Sequence, residues 1–254
     1  MRLRHWLLLG MMLFMARATM GEEKQAIEVR IYKLQDEAAE KRLDDYLQHA
    51  LLPALNRQGL GPIGVLDQAQ AGEVIEVLLI IPGESVEAVA MADLKLYDDP
   101  QYLEAAKDYL AIPAKAPILR RITSELLWAF DCWPQVAVPP QREAGKPRLF
   151  EMRTYESPTE HLGHLKVEMF NSGEVPIFLD CGIQPVFMGQ ALIGNTRPSL
   201  TYMTVYDDQA SLEAAWERFR EHPDWQVLRE VPKYKGTVSK IHQSWWVPKP
   251  YSQL

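Results

Sequence analysis

Glu28-Val29-Arg30-Ile31-Tyr32 and Glu151-Met152-Arg153-Thr154-Tyr155 are two versions of one strand motif, 123 positions apart. The same spacing carries Pro53, Gly59, Pro62 and Pro100 onto Pro176, Gly182, Pro185 and Pro223 without a gap. Proline fixes φ and removes a backbone donor, so shared prolines report a shared backbone more strongly than scattered identities do. The chain reads as an internal duplication.

Each copy spells strand, helix, strand, strand, helix, strand. Ile27 to Leu34 alternates as a strand does, and Leu43, Tyr46, Leu47, Ala50 and Ala54 then recur at helical spacing. Pro53 and Pro176 fall near the ends of the first helices, and Gly59 and Gly182 close them. Hairpins are expected from Pro62–Leu66 with Val74–Ile81, and from Pro185–Leu192 with Leu200–Tyr206 through Gly194-Asn195-Thr196. Ser85 and Asp208 stand where helix caps belong, and Pro100 and Pro223 suit first helical positions. Final strands are predicted over Ile118–Trp128 and Val238–Trp246.

The order βαββαβ predicts an α+β fold: two tandem ferredoxin-like domains, each an antiparallel sheet with helices on one face. The bare faces predict that the sheets pack face to face, as a pseudo-dimeric α/β barrel. The expected organisation is a signal peptide at 1–18, a first, degenerate domain at 24–133, a proline- and charge-rich linker at 134–148 and a second domain at 149–247.

Arg2 and Arg4 precede the apolar run Trp6 to Ala16, and Ala16-Arg17-Ala18 supplies small residues before a cleavage point. Export to the periplasm or the cell exterior is the expectation, with no stable membrane anchor left after cleavage. Removing Arg2, Arg4 and Arg17 takes the formal charge from −7 to −10. So acidic a surface disfavours nucleic acid, whose affinity comes chiefly from lysine and arginine at phosphates. Cys132 and Cys181 do not correspond under the repeat, and packed, unpaired thiols are the simpler reading.

Strand alternation puts Ile27, Val29 and Ile31 on one face and Glu28, Arg30 and Tyr32 on the other; Phe150, Met152 and Thr154 likewise oppose Glu151, Arg153 and Tyr155. Assigning the apolar sets to the helices predicts that Glu28, Arg30, Tyr32, Glu151, Arg153 and Tyr155 line a chamber inside the barrel. There the pairs Glu28–Arg30 and Glu151–Arg153 either neutralise one another or bind a small organic ligand with a carboxylate, carbonyl or phenol group. His161, His164 and Glu168 share a helical spacing that could align metal ligands, but the first copy lacks both histidines and no metal is expected. His242 reads as a hydrogen-bonded structural histidine rather than a haem ligand or proton shuttle. No phosphate-binding glycine loop, nucleophile elbow or cysteine-histidine metal spacing occurs, and no cofactor is expected from the motifs.

At Phe150-Glu151-Met152-Arg153-Thr154-Tyr155, Val205-Tyr206-Asp207-Asp208 and His222-Pro223-Asp224-Trp225 the chain resembles the NIPSNAP family. The first copy is a worn version that keeps Glu28 to Tyr32 and Asp99-Pro100-Gln101-Tyr102 but has Ile80-Ile81-Pro82-Gly83 at the aromatic-acidic stretch. The resemblance implies a dimeric α/β barrel and a wider kinship with small oxygenases and haem-degrading proteins, without a settled activity. The leading expectation is an exported protein binding a small organic ligand between the two halves. A cofactor-free or haem-dependent oxygenase-like or isomerase-like enzyme and a protein-interaction module remain as alternatives. Further association of chains into a homo-oligomer stays open.

Overall fold

The computed structural model describes residues 23–254. The expected signal peptide lies outside the described residues.

Strand β1 (Ala26–Leu34) leads through Asp36, whose carboxylate accepts from the Ala39 amide, into α1 (Glu37–Tyr46). A π-helical turn over Leu47–Leu51 then passes into α2 (Leu52–Arg57). Pro53 in the first turn of α2 offers no N–H to the carbonyl four residues back, and the widened turn just upstream absorbs that mismatch. Gly59, at φ 81°, ends the segment as a left-handed helix terminus does. Strands β2 (Gly64–Gln68) and β3 (Glu76–Gly83) follow, then short helices α3 (Val86–Ala90), α4 (Ala92–Lys95), α5 (Pro100–Ala105) and α6 (Lys107–Leu110), and strand β4 (Leu119–Ala129). The connection to the second half contains one helical turn, α7 (Pro140–Glu143).

The second half repeats the order with β5 (Leu149–Glu156), α8 (Glu160–Met169), a π-helical turn (Phe170–Glu174), α9 (Val175–Asp180), β6 (Gln184–Ile193) and β7 (Ser199–Tyr206). It finishes with α10 (Gln209–Glu221), α11 (Pro223–Leu228), a 3-10 turn (Pro232–Tyr234) and β8 (Lys240–Pro248). Ser85 and Asp208 cap α3 and α10, and Pro100 and Pro223 open α5 and α11, as the sequence predicts.

The strands close into one antiparallel barrel in the order β1-β3-β2-β8-β5-β7-β6-β4. Each half contributes a ferredoxin-like sheet, and the halves join through their edges, with Leu66 opposite Pro248 and Leu127 opposite Ala191. Closure leaves no unpaired sheet edge. Helices cover the outside.

One expectation reverses. Ile27, Val29, Leu66, Leu78, Ile80 and Leu127 meet Phe150, Val186, Phe187, Met203, Val205 and Trp246 in a single core inside the barrel. Glu28, Arg30, Tyr32, Glu151, Arg153 and Tyr155 therefore point outward, towards the helices, and not into a chamber between the sheets. The physical reason is the cost of burying an unpaired charge. The middle of the interior is filled by these apolar side chains and offers a guanidinium no polar partner, whereas the layer between sheet and helices supplies Glu28, Asp93 and Glu151. Alternation defines two faces per strand but does not say which one meets the helices.

The segment after β8 plugs one end of the barrel. Leu254 is fully buried in the interior core, the Ser252 hydroxyl accepts from the Val65 amide at 3.0 Å, and the Gln253 side chain accepts from the Ile63 amide at 2.7 Å. Lys249, buried on the outer side of β2, contacts Glu40, Asp44 and Asp67. Cys132 and Cys181 are both free thiols. No helix among the described residues is long and apolar enough to cross a membrane.

Candidate functional site

In the first half, Arg30 donates through Nε and Nη2, one edge of its guanidinium, to the two Glu28 carboxylate oxygens at 2.8 Å, and also to Asp93 of α4 at 3.0 Å and to the Tyr32 hydroxyl at 3.4 Å. Tyr32 belongs to the outer apolar core with Leu43, Leu51, Tyr46 and Tyr102. Tyr109 stacks flat on Tyr46 with ring centroids 3.7 Å apart, and the Tyr46 and Tyr102 hydroxyls pair at 3.0 Å. Arg30, Tyr32, Tyr46 and Tyr102 thus all find hydrogen-bond partners among themselves and their neighbours, and a pocket of about 600 Å³ lies beyond the Tyr46–Tyr109 stack.

The second half departs from that plan at the same places. The repeat spacing aligns Leu43 with Lys166, Leu51 with Glu174, Asp93 with Trp216 and Tyr102 with Trp225. Lys166 and Glu174 form an ion pair at 2.7 Å, their side chains 5% and 3% exposed. The Lys166 ammonium also lies 4.6 Å from the Phe170 ring centroid. Arg153 donates to Glu151 at 2.8 Å and stacks on the Trp216 ring at 3.7 Å, while the Trp216 indole N–H donates to the other Glu151 oxygen at 2.6 Å. Gln243 donates to Glu151 as well. Burial works against the Arg153 charge, but Tyr202, Tyr155 and Glu151 outweigh it and hold the group firmly protonated.

These residues border a cleft of about 690 Å³ between the sheet and the helices. Arg153 and Tyr155 of β5 form its floor, Lys166 and Glu174 one wall, Trp216 and Phe219 of α10 with Trp225 of α11 the other, and Tyr234 and Val238 its far end. The Tyr155 and Tyr202 hydroxyls pair at 2.8 Å beneath it, and burial raises the Tyr202 phenol well above its ordinary range. Among the lining side chains Arg153, Lys166, Arg220, Arg229 and Lys235 are cationic and only Glu174 and Glu230 anionic. The arrangement suits an anion with an apolar or aromatic body.

The six residues marked by the sequence thus form two sets on opposite outer faces of the barrel. Only Arg153 and Tyr155 line the cleft; Glu151 braces them from behind, and Glu28, Arg30 and Tyr32 sit in the packed first half. Of the other candidates, His161 and His164 are exposed, and Glu168 is engaged by Lys233 and the Tyr234 hydroxyl. His242 bonds Glu156 on the barrel-facing side of β8. Lys166 and Glu174 escaped notice, although the repeat displays them: two leucines on the buried stripe of one copy become a lysine and a glutamate eight residues apart in the other. The family-like motifs do structural work: Asp208 caps α10, and His222 caps α11 with its ring accepting from the Asp224 amide.

A closed barrel of two ferredoxin-like halves, with a cleft between one sheet and its helices, defines a dimeric α/β-barrel protein in which one chain supplies both halves. The NIPSNAP family model matches residues 150–253, the half that carries the cleft. Over those residues the chain is similar to the NIPSNAP family. It is similar in structure to a "putative monooxygenase" from Lactobacillus acidophilus, with a TM-score of 0.57 at 10% identity over 89% of this chain and 94% of that one. A protein described in the same words from Fusobacterium nucleatum gives 0.54 at 9% identity, over 89% and 93%. A NIPSNAP domain protein from Burkholderia xenovorans matches 40% of this chain and 95% of its own at 20% identity, with a TM-score of 0.36. At these identities the likeness establishes the fold alone. No curated protein matches the sequence.

Proposed function

We propose that the second half binds a small organic anion with an aromatic or apolar body in the cleft between its sheet and its helices. The observation that carries this reading is the exchange between the halves: Lys166 and Glu174 stand buried beside Arg153 where the first half stores Leu43 and Leu51. A buried ion pair is a poor device for stability, since apolar residues of similar size serve as well or better. Its presence at the border of an aromatic-walled cleft, and not in the matching packed layer, fits a role towards a ligand. The excess of cations at the rim favours a carboxylate, and Trp216, Trp225 and Phe219 offer faces for a ring.

Isothermal titration of the purified protein with benzoate and 4-hydroxybenzoate tests this. Saturable binding is expected, weakened at least tenfold by Arg153→Gln and by Lys166→Met. Equal affinity for benzyl alcohol, or undiminished benzoate binding by both variants, would remove the reading.

A further inference from the structure

The barrel interior contains a carboxylate that the cleft does not use. Glu125 of β4 lies opposite Val29 on the inward face, at the end of the barrel away from the Leu254 plug. A cavity of about 230 Å³ opens there, with Val29, Ile31 and Met152 as its floor and Thr154, Thr201 and Asn195 around it. At ~30 Å³ per water this is room for roughly seven waters, or for a small organic molecule.

Glu125 accepts from the Thr201 hydroxyl at 2.8 Å and from the Ser199 hydroxyl at 3.3 Å. Burial raises its pKa, the two hydroxyls pull it back, and no cation among the described residues contributes. Glu28, Glu151, Glu174 and Asp67, by contrast, each have a lysine or arginine partner. The turn opposite makes room for it: a Cβ at Gly194 would stand 3.0 Å from the Glu125 Cγ and 3.1 Å from its Oε1.

The duplication supplies an internal control here too. Met152 of β5, the counterpart of Val29, lies opposite Ser244. The barrel wall therefore accepts a short neutral side chain at this position, and nothing in the fold requires an unpaired carboxylate there.

We propose that this end of the barrel is a second binding site, for a small alkylammonium ion. Glu125 supplies the counter-charge, oxygens of Thr154, Thr201 and Asn195 accept the remaining ammonium N–H groups, and Val29, Ile31 and Met152 receive the alkyl chain. An acceptor-only carboxylate among hydroxyls, over an apolar floor, matches a donor-only head on a short apolar tail. The site lies on the opposite face of the sheet from the cleft and does not rest on the anion-binding reading.

The test is titration of the full protein with n-propylammonium chloride at constant ionic strength, followed by calorimetry or ligand-observed NMR. Wild type should bind saturably. Glu125→Gln, which keeps the shape and removes the charge, should weaken binding at least tenfold. Ile31→Phe, which fills the floor and leaves Glu125 in place, should do the same. Propan-1-ol should bind at least tenfold more weakly than the ammonium ion. Retained binding by Glu125→Gln, equal binding of propan-1-ol, or equal occupancy by sodium alone would overturn the assignment.

Discussion

Replacing Glu174 by glutamine leaves the Lys166 ammonium in a wall where it is 5% exposed, 2.7 Å from a partner that no longer carries charge. Removing one member of a buried pair typically costs about 3–5 kcal/mol, because the remaining charge stays desolvated. The Phe170 ring 4.6 Å from the ammonium offsets part of that, so the lower end, about 3 kcal/mol, is the expectation. In a domain of this size each kcal/mol moves Tm by roughly 2–4 °C, giving a fall of roughly 6–12 °C. The double variant Lys166→Leu/Glu174→Leu rebuilds what the first half has at Leu43 and Leu51, and should lie between wild type and about 4 kcal/mol above it. Urea denaturation of the singles Lys166→Leu and Glu174→Leu and of the double completes the cycle, with Glu174→Gln and benzoate titration in parallel. The double should be stable and blind to benzoate. A single variant costing under about 1 kcal/mol, or a double as unstable as the singles, would show that the pair is not a buried, coupled unit and would refute the reasoning.

Two further outcomes follow from features away from the cleft. Leu254→Ala removes a fully buried side chain from the plug of the barrel and should cost about 2–5 kcal/mol in chemical denaturation; a loss below about 1 kcal/mol would mean that the tail does not seal the core. Because burial raises the pKa of Glu125 in the folded state, the native protein holds that proton longer than the unfolded chain does. Wild type should therefore match Glu125→Gln below the ordinary carboxylate value near 4.5 and fall behind it as pH rises through the folded value, read from urea midpoints at acid and neutral pH. A gap of constant size across that range would contradict the shift.

The architecture was legible because the repeat marks backbone geometry. Pro53 and Pro176 sit after matching π-helical turns, Gly59 and Gly182 end matching helices, and Ser85 and Asp208 cap matching helices. Of the six residues the strand motifs marked, only Arg153 and Tyr155 border the candidate cleft, because period-two alternation cannot tell a strand's helix side from its barrel side. That distinction depends on which side chains fill the interior, a property of all eight strands together. The repeat spacing also shortens in the last strand, where Glu125 opposite Val29 corresponds to Ser244 opposite Met152, 119 positions on. A reading tied to 123 sets Pro248 against Glu125 and hides the comparison that isolates this carboxylate.

Joining both halves in one polypeptide has a consequence for how such a barrel can change. Where two identical subunits assemble, any substitution alters both recesses at once, and a residue that ruins packing in one ruins it in the other. Here the β2–β8 and β4–β6 seams bind unequal partners, so Leu43, Leu51 and the stacked Tyr46–Tyr109 rings can serve as ballast while the opposite lobe tolerates salt bridges in its wall. The asymmetry lets one lobe specialise while the other keeps the whole upright.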